Sequence, residues 1–412
     1  MTHPLYLKGN FKGPIAKLES QDFLLTYGNA TSISGDFQVL GLPDIRNSFL
    51  FARISNFKTT KHDVEDFVAD LGNTPFILPA EFKNVTRFSF QGKLTGFLDN
   101  FAASGSVQSN IGNIYSDFSF IAKEEGEYYK ASVEAKNFHL NHLLNKEELG
   151  DVSFRIQLEG GKKETASFDT HVKGIIHSLS YQDYIYQNIL LNGEYSNYLF
   201  QGNINLNDEN AKVDINGILD FSQDLPAFNL KALVEKFHPR KMNLSTQYPD
   251  LQFSCSLKSD VKGNSLDNIE GNIQIDNLHI INDDKSLYLE KFEMYSDISD
   301  SLSSMIISSD LINGVIEGKY TLSTIISSVK FVASEYLPVL SKTGKDENTI
   351  STDNNFDFDI RIDHISSFSD LLDLKWTTPA TLNLFGYYDD RTRNFRLKSI
   401  LPELRYKNLK IA

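Results

Sequence analysis

The sequence predicts a mostly β protein made of antiparallel strands that each have one apolar and one polar face. Alternation with a period of two residues recurs along the whole 412-residue chain, while segments with helical spacing are scarce. Composition agrees, because the apolar residues are mainly Phe, Leu, Ile and Val, with 30 Phe and 18 Tyr among 412 residues. A chain that is 41% hydrophobic is also too apolar to be disordered.

Four segments illustrate the strand pattern in chain order. Alternating apolar residues occur in segments 87–96, 151–158, 251–257 and 356–363, and polar residues occupy the positions between them. Such a pattern is typical of a strand that is buried on one side and wet on the other. Around residue 207, two alternating segments flank a short polar turn, which predicts an antiparallel hairpin with its apolar side chains on one face.

Helical spacing appears in three places. Residues 59–72 have a capping Thr, apolar residues at i, i+3, i+4 and i+7, and a closing Gly. A shorter helical turn is predicted within residues 140–149, and a longer helix within 322–340. The polar segment 342–355 is predicted to be a flexible loop.

An internal repeat suggests one extended β architecture. Residues 8–13 resemble residues 91–96, and the strand ending at Phe57 has a counterpart ending at Phe138. A weaker form recurs at 276–278 and 407–409. We therefore predict a single repeating segment with units 1–85, 86–160, 161–250 and 251–341, the loop 342–355, and further strands over 356–412 that are truncated at the end.

Charge and cysteine content exclude several functions. The chain has 40 Lys and Arg against 54 Asp and Glu, a formal net charge of −14, which disfavours a nucleic-acid partner. Its single cysteine, Cys255, permits no intramolecular disulfide and lies on the apolar side of its strand, as a buried thiol would. The sequence shows neither a signal peptide nor an apolar segment long enough to span a membrane, but both ends lie within alternating segments and look cut.

The lack of catalytic motifs in the sequence predicts a protein that is not an enzyme and needs no cofactor. Phosphate-binding loops, zinc-protease motifs, serine elbows and dinucleotide fingerprints do not occur. His139 and His142 could hold a metal only with a third ligand, so a solvated turn is favoured and no metal site is predicted. Asp357, Asp359 and Asp363 are interpreted as the solvated outer face of a strand.

An apolar strand face must be covered, and the residues alone leave three solutions open. A second sheet covers it in a β-sandwich, which is the first expectation. A long sheet curled into a groove with its apolar side inward comes second, and a membrane barrel third.

Three groups of strand and turn phrases resemble the AsmA-like TamB family (translocation and assembly module) in its Bacteroidetes-type form. They are residues 35–45, residues 199–208 with 213–222 and 225–232, and residues 318–322 leading to 335–338. The resemblance covers essentially the whole chain but includes no catalytic signature. It implies a long curled β-sheet with a hydrophobic groove, in a periplasmic protein that a helix anchors to the inner membrane. Neither the anchor helix nor the family's C-terminal domain is recognisable, so the chain looks like a middle segment.

The function that this resemblance implies is non-enzymatic. A hydrophobic β-groove would conduct phospholipid between inner and outer membranes, assist outer-membrane protein assembly, or do both. The partners would be phospholipid acyl chains and, through parts absent here, barrel-assembly proteins of the outer membrane. An extracellular β-sandwich scaffold or adhesin with a dry core is the main alternative, and a carbohydrate-active β-solenoid is disfavoured. The predicted groove-lining residues, which an ordinary packed core would also explain, are Phe88, Phe90, Leu94, Phe118, Phe120, Val152, Phe154, Ile156, Ile204, Leu206, Val213, Ile215, Phe228, Leu230, Phe253, Leu257, Phe358 and Ile360.

Overall fold

The computed structural model confirms a mostly β fold. Strands account for 70% of the chain, and 22 of them form one antiparallel sheet that is not closed into a barrel. A separate sheet has three strands. The structure describes residues 3–72, 77–78, 83–162, 169–246, 250–299, 302–325, 354–363, 366, 371, 376–377, 381–392, 394–400, 404–406 and 409–411.

The chain divides into two compact units. Unit 1 comprises residues 1–197 and 202–208, and unit 2 comprises residues 198–201 and 209–412. The strands of unit 1 are β1 (Leu5–Lys12), β2 (Lys17–Tyr27), β3 (Thr31–Leu40), β4 (Phe49–Thr60), β5 (Arg87–Phe97), β6 (Asn100–Ser109), β7 (Gly112–Lys123), β8 (Gly126–His139), β9 (Leu149–Lys162), β10 (Asp169–Tyr181) and β11 (Tyr184–Ser196). The residues of β12 (Leu199–Asn207) are divided between the two units.

The remaining strands belong to unit 2. They are β13 (Ala211–Asp220), β14 (Ala227–Phe237), β15 (Gln252–Lys262), β16 (Glu270–Asn282), β17 (Lys285–Asp297), β18 (Ser303–Ser309), β19 (Ile312–Lys319), β20 (Asn355–Ile362), β21 (Trp376–Thr377), β22 (Leu382–Asp389), β23 (Asn394–Ile400), β24 (Leu404–Tyr406) and β25 (Leu409–Ile411). The three-stranded sheet consists of β21, β24 and β25.

Strand pairing follows chain order within each unit. From β1 to β11 each strand pairs with the next in antiparallel register, and the same holds from β13 to β20. The order then continues through β22 to β23. Such a meander needs only short connections, which accounts for the turn clusters between alternating segments. The curled outline and the four sequence-defined units stay predictions.

The predicted helices are present where the structure describes them. Helix α1 (Lys61–Gly72) begins two residues later than predicted, because Thr59 and Thr60 still belong to β4. The Thr60 hydroxyl accepts a hydrogen bond from the Asp63 amide at 3.3 Å, so Thr60 caps the helix. Helix α2 (Leu140–Leu144) is the predicted short turn. Residues 322–325 are helical, and the rest of the predicted 322–340 helix lies outside the described residues.

The predicted loop 342–355 extends too far, because its last residue already belongs to strand β20. Residues 342–353 lie outside the described part, but Asn355 is already the first residue of β20. The side chain of Asn354 is fully buried, accepts a hydrogen bond from the Thr321 amide at 2.8 Å, and donates to Thr324 Oγ1 at 3.0 Å. This buried amide therefore fixes the start of β20, which a polar composition alone could not reveal.

The repeated Asn-Phe phrase marks a β-bulge. The register of β8 on β9 shifts between Ala135 and Phe138, and that of β4 on β5 shifts between Ile54 and Phe57. Asn137 has a φ of 48°, and Asn277 in β16 has a φ of 53°. Asparagine tolerates this left-handed conformation better than most residues, which explains its presence at residues 137 and 277. Asn56, at the β4 bulge, does not have a positive φ.

Candidate functional site: an apolar face that continues across the strands

In unit 1, directly paired residues form an apolar row that crosses eleven strands. Paired residues of neighbouring strands lie on the same side of a sheet, so a chain of pairs traces one face. The row, named here the Phe90 row, is Leu7, Leu25, Ile33, Phe57, Phe90, Val107, Ile114, Ala135, Phe154, Ile176 and Ile189. Each member is apolar, although each comes from a different strand.

A second row lies four residues further along β5. The Leu94 row is Phe11, Ser20, Phe37, Ala52, Leu94, Ala103, Phe118, Ala131, Leu158, Val172 and Gly193. Apart from one serine and one glycine it is also apolar. The two rows share one face because Phe90 and Leu94 are four residues apart on β5, and an even number of residues along a strand returns to the same face.

Glycines between these rows let an aromatic ring lie flat against the sheet. Gly92 and Gly105 are directly paired. A Cβ at Gly92 would lie 2.5 Å from Cζ of Phe90, and one at Gly105 would lie 2.6 Å from Cε2 of the same ring. The Phe90 ring therefore occupies the space that these two side chains would fill.

Unit 2 has the same organisation. Its Leu230 row is Gly217, Leu230, Ser259, Ile273, Met294, Ile307, Gly314, Ile360, Leu384 and Ser399. Its Phe228 row is Leu219, Phe228, Val261, Gly271, Ser296, Met305, Ile316, Phe358, Gly386 and Leu397. Both rows cross ten strands and are mostly apolar. The apolar face of each unit consists of these rows and of the residues an even number of positions from them on the same strands.

The structure places the predicted residues on this face. Four belong to the unit 1 rows (Phe90, Phe154, Leu94, Phe118) and four to the unit 2 rows (Leu230, Ile360, Phe228, Phe358). Eight more lie on the same strands an even number of positions from a row member, and therefore on the same face. They are Phe88, Phe120, Val152, Ile156, Val213, Ile215, Phe253 and Leu257. Ile204 and Leu206 are in phase with Gly202, where a Cβ would lie 2.5 Å from the Cα of Gly193 in the Leu94 row.

Most of these residues are half-buried. Val152 and Val213 are buried, and the other predicted residues are half-buried. In unit 1, α2 covers one margin, where Leu140 and Leu143 pack against a cluster that includes Phe138 and Val152. Away from α2, Leu94, Phe118 and Leu158 are half-buried. Sequence alternation found this face but could not show how far each side chain is covered.

A furrow that the alternation pattern does not reveal lies on the opposite, polar face of unit 1. It is a depression of about 770 Å³ lined by residues from β4 to β10, among them Lys93, Asp117, Ser119, Glu159 and Lys173. Between the polar positions the lining also includes Ala103, Phe118, Ala131 and Leu158 of the Leu94 row. Alternation assigned the polar residues of this lining to a wet face. Only the strand register, which sets them in neighbouring rows, could have revealed the furrow.

The remaining candidate groups have ordinary environments. Burial raises the pKa of the Cys255 thiol, in agreement with a buried structural cysteine. Asp357 and Asp359 are exposed, as predicted, but Asp363 is not freely solvated. Its side chain is 18% exposed and accepts a hydrogen bond from Thr381 Oγ1 at 2.6 Å, because β20 ends just before it.

His139 binds a carboxylate. Its Nδ1 lies 2.5 Å from Oδ1 of Asp151, and its ring centroid lies 5.9 Å from that of His142. Among the residues that the structure describes, three or more His, Cys, Asp or Glu side chains nowhere gather as a metal site requires. Within the same residues, no helix is both long and apolar enough to cross a membrane.

Comparisons with protein-family models, curated proteins and solved structures give no match for this chain. The resemblance described above therefore rests on the sequence phrases alone.

Proposed function

We propose that this chain is a non-catalytic protein of cell-envelope biogenesis whose apolar face holds the acyl chains of phospholipid. In the full-length protein, which a helix would anchor to the inner membrane, it would act in the periplasm. There it would conduct lipid between the inner and outer membranes, assist outer-membrane protein assembly, or do both. The observation that carries the proposal is the continuity of the apolar rows across eleven strands of unit 1 and ten of unit 2.

The chemistry of the face suits a hydrocarbon chain. Transfer of a CH₂ group from water to an apolar surface is favourable by about 0.8 kcal/mol. Rows perpendicular to the strands offer successive apolar contacts at the strand spacing of roughly 4.8 Å. An extended acyl chain lying along a row would therefore meet an apolar side chain at nearly every strand that it crosses.

The test places a charge on the apolar face. Phe118 packs beside Phe101 and Tyr129, with ring centroids 5.9 and 6.5 Å away, and is half-buried. Phe118→Glu is expected to reduce the phospholipid that co-purifies from membranes by about tenfold, which is a loss of roughly 1.4 kcal/mol. Lipid would be extracted from purified protein and quantified by mass spectrometry.

Tyr115→Glu is the matched control. Tyr115 lies on the same strand, is 48% exposed, and points to the polar face. Its variant should keep the wild-type lipid content, and far-UV circular dichroism should show both variants folded. Equal lipid content in a folded Phe118→Glu variant would refute the proposal. A wild-type protein without lipid would instead favour the scaffold with a dry core.

A further inference from the structure

The polar furrow of unit 1 has mostly small side chains in its middle, together with the carboxylate of Asp117. Ala102, Ser104, Ser119 and Ser132 come from β6, β7 and β8, in the middle of the depression. Side chains of a strand stand roughly perpendicular to the sheet, so short ones leave a hollow. The lining therefore combines hydroxyl groups and apolar carbon with two carboxylates. Asp117 lies between Ser104 and Ser132 in one row of paired residues, and Glu159 is ion-paired with Lys130.

Basic side chains stand at both ends of the hollow. Lys93 is on β5 and Lys173 on β10, and both are exposed. They belong to one row of paired residues and are five strand spacings apart, roughly 24 Å. Within the described residues neither lysine forms an ion pair with a carboxylate, unlike Lys130, whose Nζ lies 2.6 Å from Glu159 Oε1.

One of these ends sets two cations side by side. Lys93 is paired directly with Arg53 on β4 and with Ser104 on β6. Like charges directly opposite each other destabilise a sheet. Two carboxylates lie in the same row. Asp36 faces Arg53 from β3, on the far side of Arg53 from Lys93, and Asp117 lies on β7, two strands from Lys93. Arg53 and Lys93 therefore give this end of the furrow a local positive charge, which favours a bound anion despite the overall net charge of −14.

We propose that the furrow binds an anionic oligosaccharide. Acidic groups of the sugar would pair with Lys93 and Arg53 at one end and with Lys173 at the other. Sugar hydroxyls would bond to the serines and donate to the Asp117 carboxylate, and the apolar faces of the rings would lie on Ala102. A peptide fits less well, because the backbone groups of these interior strands already pair with each other. This site is independent of the proposed function, since it lies on the opposite face of the sheet.

The experiment is isothermal titration calorimetry of the whole chain with three defined probes. They are hexagalacturonate, the neutral maltohexaose, and hexaglutamate as an acidic peptide. Hexagalacturonate should bind saturably at low salt, and at least about tenfold more tightly than either other probe. Added salt should weaken its binding, because the contacts are charged and exposed.

Two variants and one matched control locate the site. The double variant Lys93→Gln/Lys173→Gln should weaken hexagalacturonate binding about tenfold, and Ser119→Trp, which fills the middle of the furrow, should abolish it. The control is Lys58→Gln/Lys136→Gln, whose lysines lie on the same polar face in another row, outside the furrow. It should bind as the wild type does.

Three results would overturn the proposal. The first is a wild-type chain that binds none of the probes. The second is equal weakening in the control and the furrow variants, which would mean attraction to general positive charge. The third is tighter binding of hexaglutamate, which would assign the furrow to an acidic peptide. Circular dichroism would verify that Ser119→Trp is folded, and the lysine variants decide the matter if it is not.

Discussion

At the residue scale, Asp63 shows how a buried carboxylate can be kept ionised. Its side chain is 3% exposed, and burial favours the neutral form. Hydrogen bonds from the Ala30 amide and the Thr31 hydroxyl, both at 2.9 Å, outweigh burial and lower the pKa of Asp63 below its usual value. This carboxylate ties the start of α1 to the turn between β2 and β3.

The variant Asp63→Asn tests this tie. Because the folded state lowers the pKa, the stabilisation is complete above the ordinary value of about 3.9 and disappears as the pH falls through the lowered folded value. At pH 7 the variant should lose about 1–3 kcal/mol of unfolding free energy, and the difference should shrink below about pH 4. Urea unfolding followed by circular dichroism would measure it, with exposed Asp99→Asn as a control that changes little at either pH.

Tyr320 presents the opposite situation. Burial raises the pKa of its hydroxyl to about 12. Among the described residues that oxygen has no hydrogen-bond partner, while its ring lies 6.2 Å from Phe356. A buried polar group without a partner costs free energy.

Tyr320→Phe is therefore expected to raise the unfolding free energy by about 1 kcal/mol. Tyr387→Phe is the comparison variant and is expected to lower the unfolding free energy, since the Tyr387 hydroxyl donates a hydrogen bond to Asp389 at 3.1 Å. Chemical unfolding at pH 7 gives both values. A Tyr320→Phe variant less stable than the wild type would show that the hydroxyl is satisfied.

At the element scale, the asparagine bulges fix the strand register. Asn137 occupies the left-handed region, and its backbone N–H donates a hydrogen bond to Ser153 Oγ at 3.0 Å. Asn277 has a similar conformation, and Tyr288 donates to its side-chain oxygen at 2.7 Å. At each site the bulge residue is held by a side chain of the next strand.

Replacement of Asn137 separates backbone strain from lost contacts. Asn137→Val should cost about 1–3 kcal/mol, because a β-branched residue is strained at positive φ. Asn137→Gly should cost less than about 1 kcal/mol, because glycine adopts that conformation freely. Thermal unfolding of both variants would give the ranking, and equal losses would mean that the conformation is not what the asparagine supplies.

Elements and faces could be predicted from the sequence, but their register could not. Alternation placed Phe90, Phe154 and Phe358 on one face because period two is a local property of a strand. The furrow between Lys93 and Lys173 depends on pairings across six strands, and each bulge alters those pairings. The burial of Asn354 likewise depends on Thr321 and Thr324, which are 33 and 30 residues away, so composition misassigned it.

At the scale of the whole molecule, the large sheet resembles a repeat array. Within each unit the described strands pair with their neighbours in the chain order, and the buried clusters are small and separate. One cluster lies beside α2, another includes Leu287 and Leu371, and a third includes Phe356 and Tyr388. Stability in such a molecule depends mainly on interfaces between neighbours.

Unfolding is therefore expected to proceed in stages. The dependence of the unfolding free energy on urea should be shallower than a cooperative 412-residue domain requires. Hydrogen exchange read by mass spectrometry should show protection that differs between groups of strands. Simultaneous loss of protection along the entire chain would contradict this expectation.

The meander also determines how the protein can change in length. Neighbouring strands run in opposite directions, so adding or removing one hairpin returns the chain to its starting direction with every face preserved. Each hairpin would lengthen or shorten the apolar rows by two strand spacings, roughly 10 Å. A single inserted strand would reverse the direction of all that follow and put their connections on the wrong edge. The length of the apolar face can therefore change only by whole hairpins, that is, by two strands at a time.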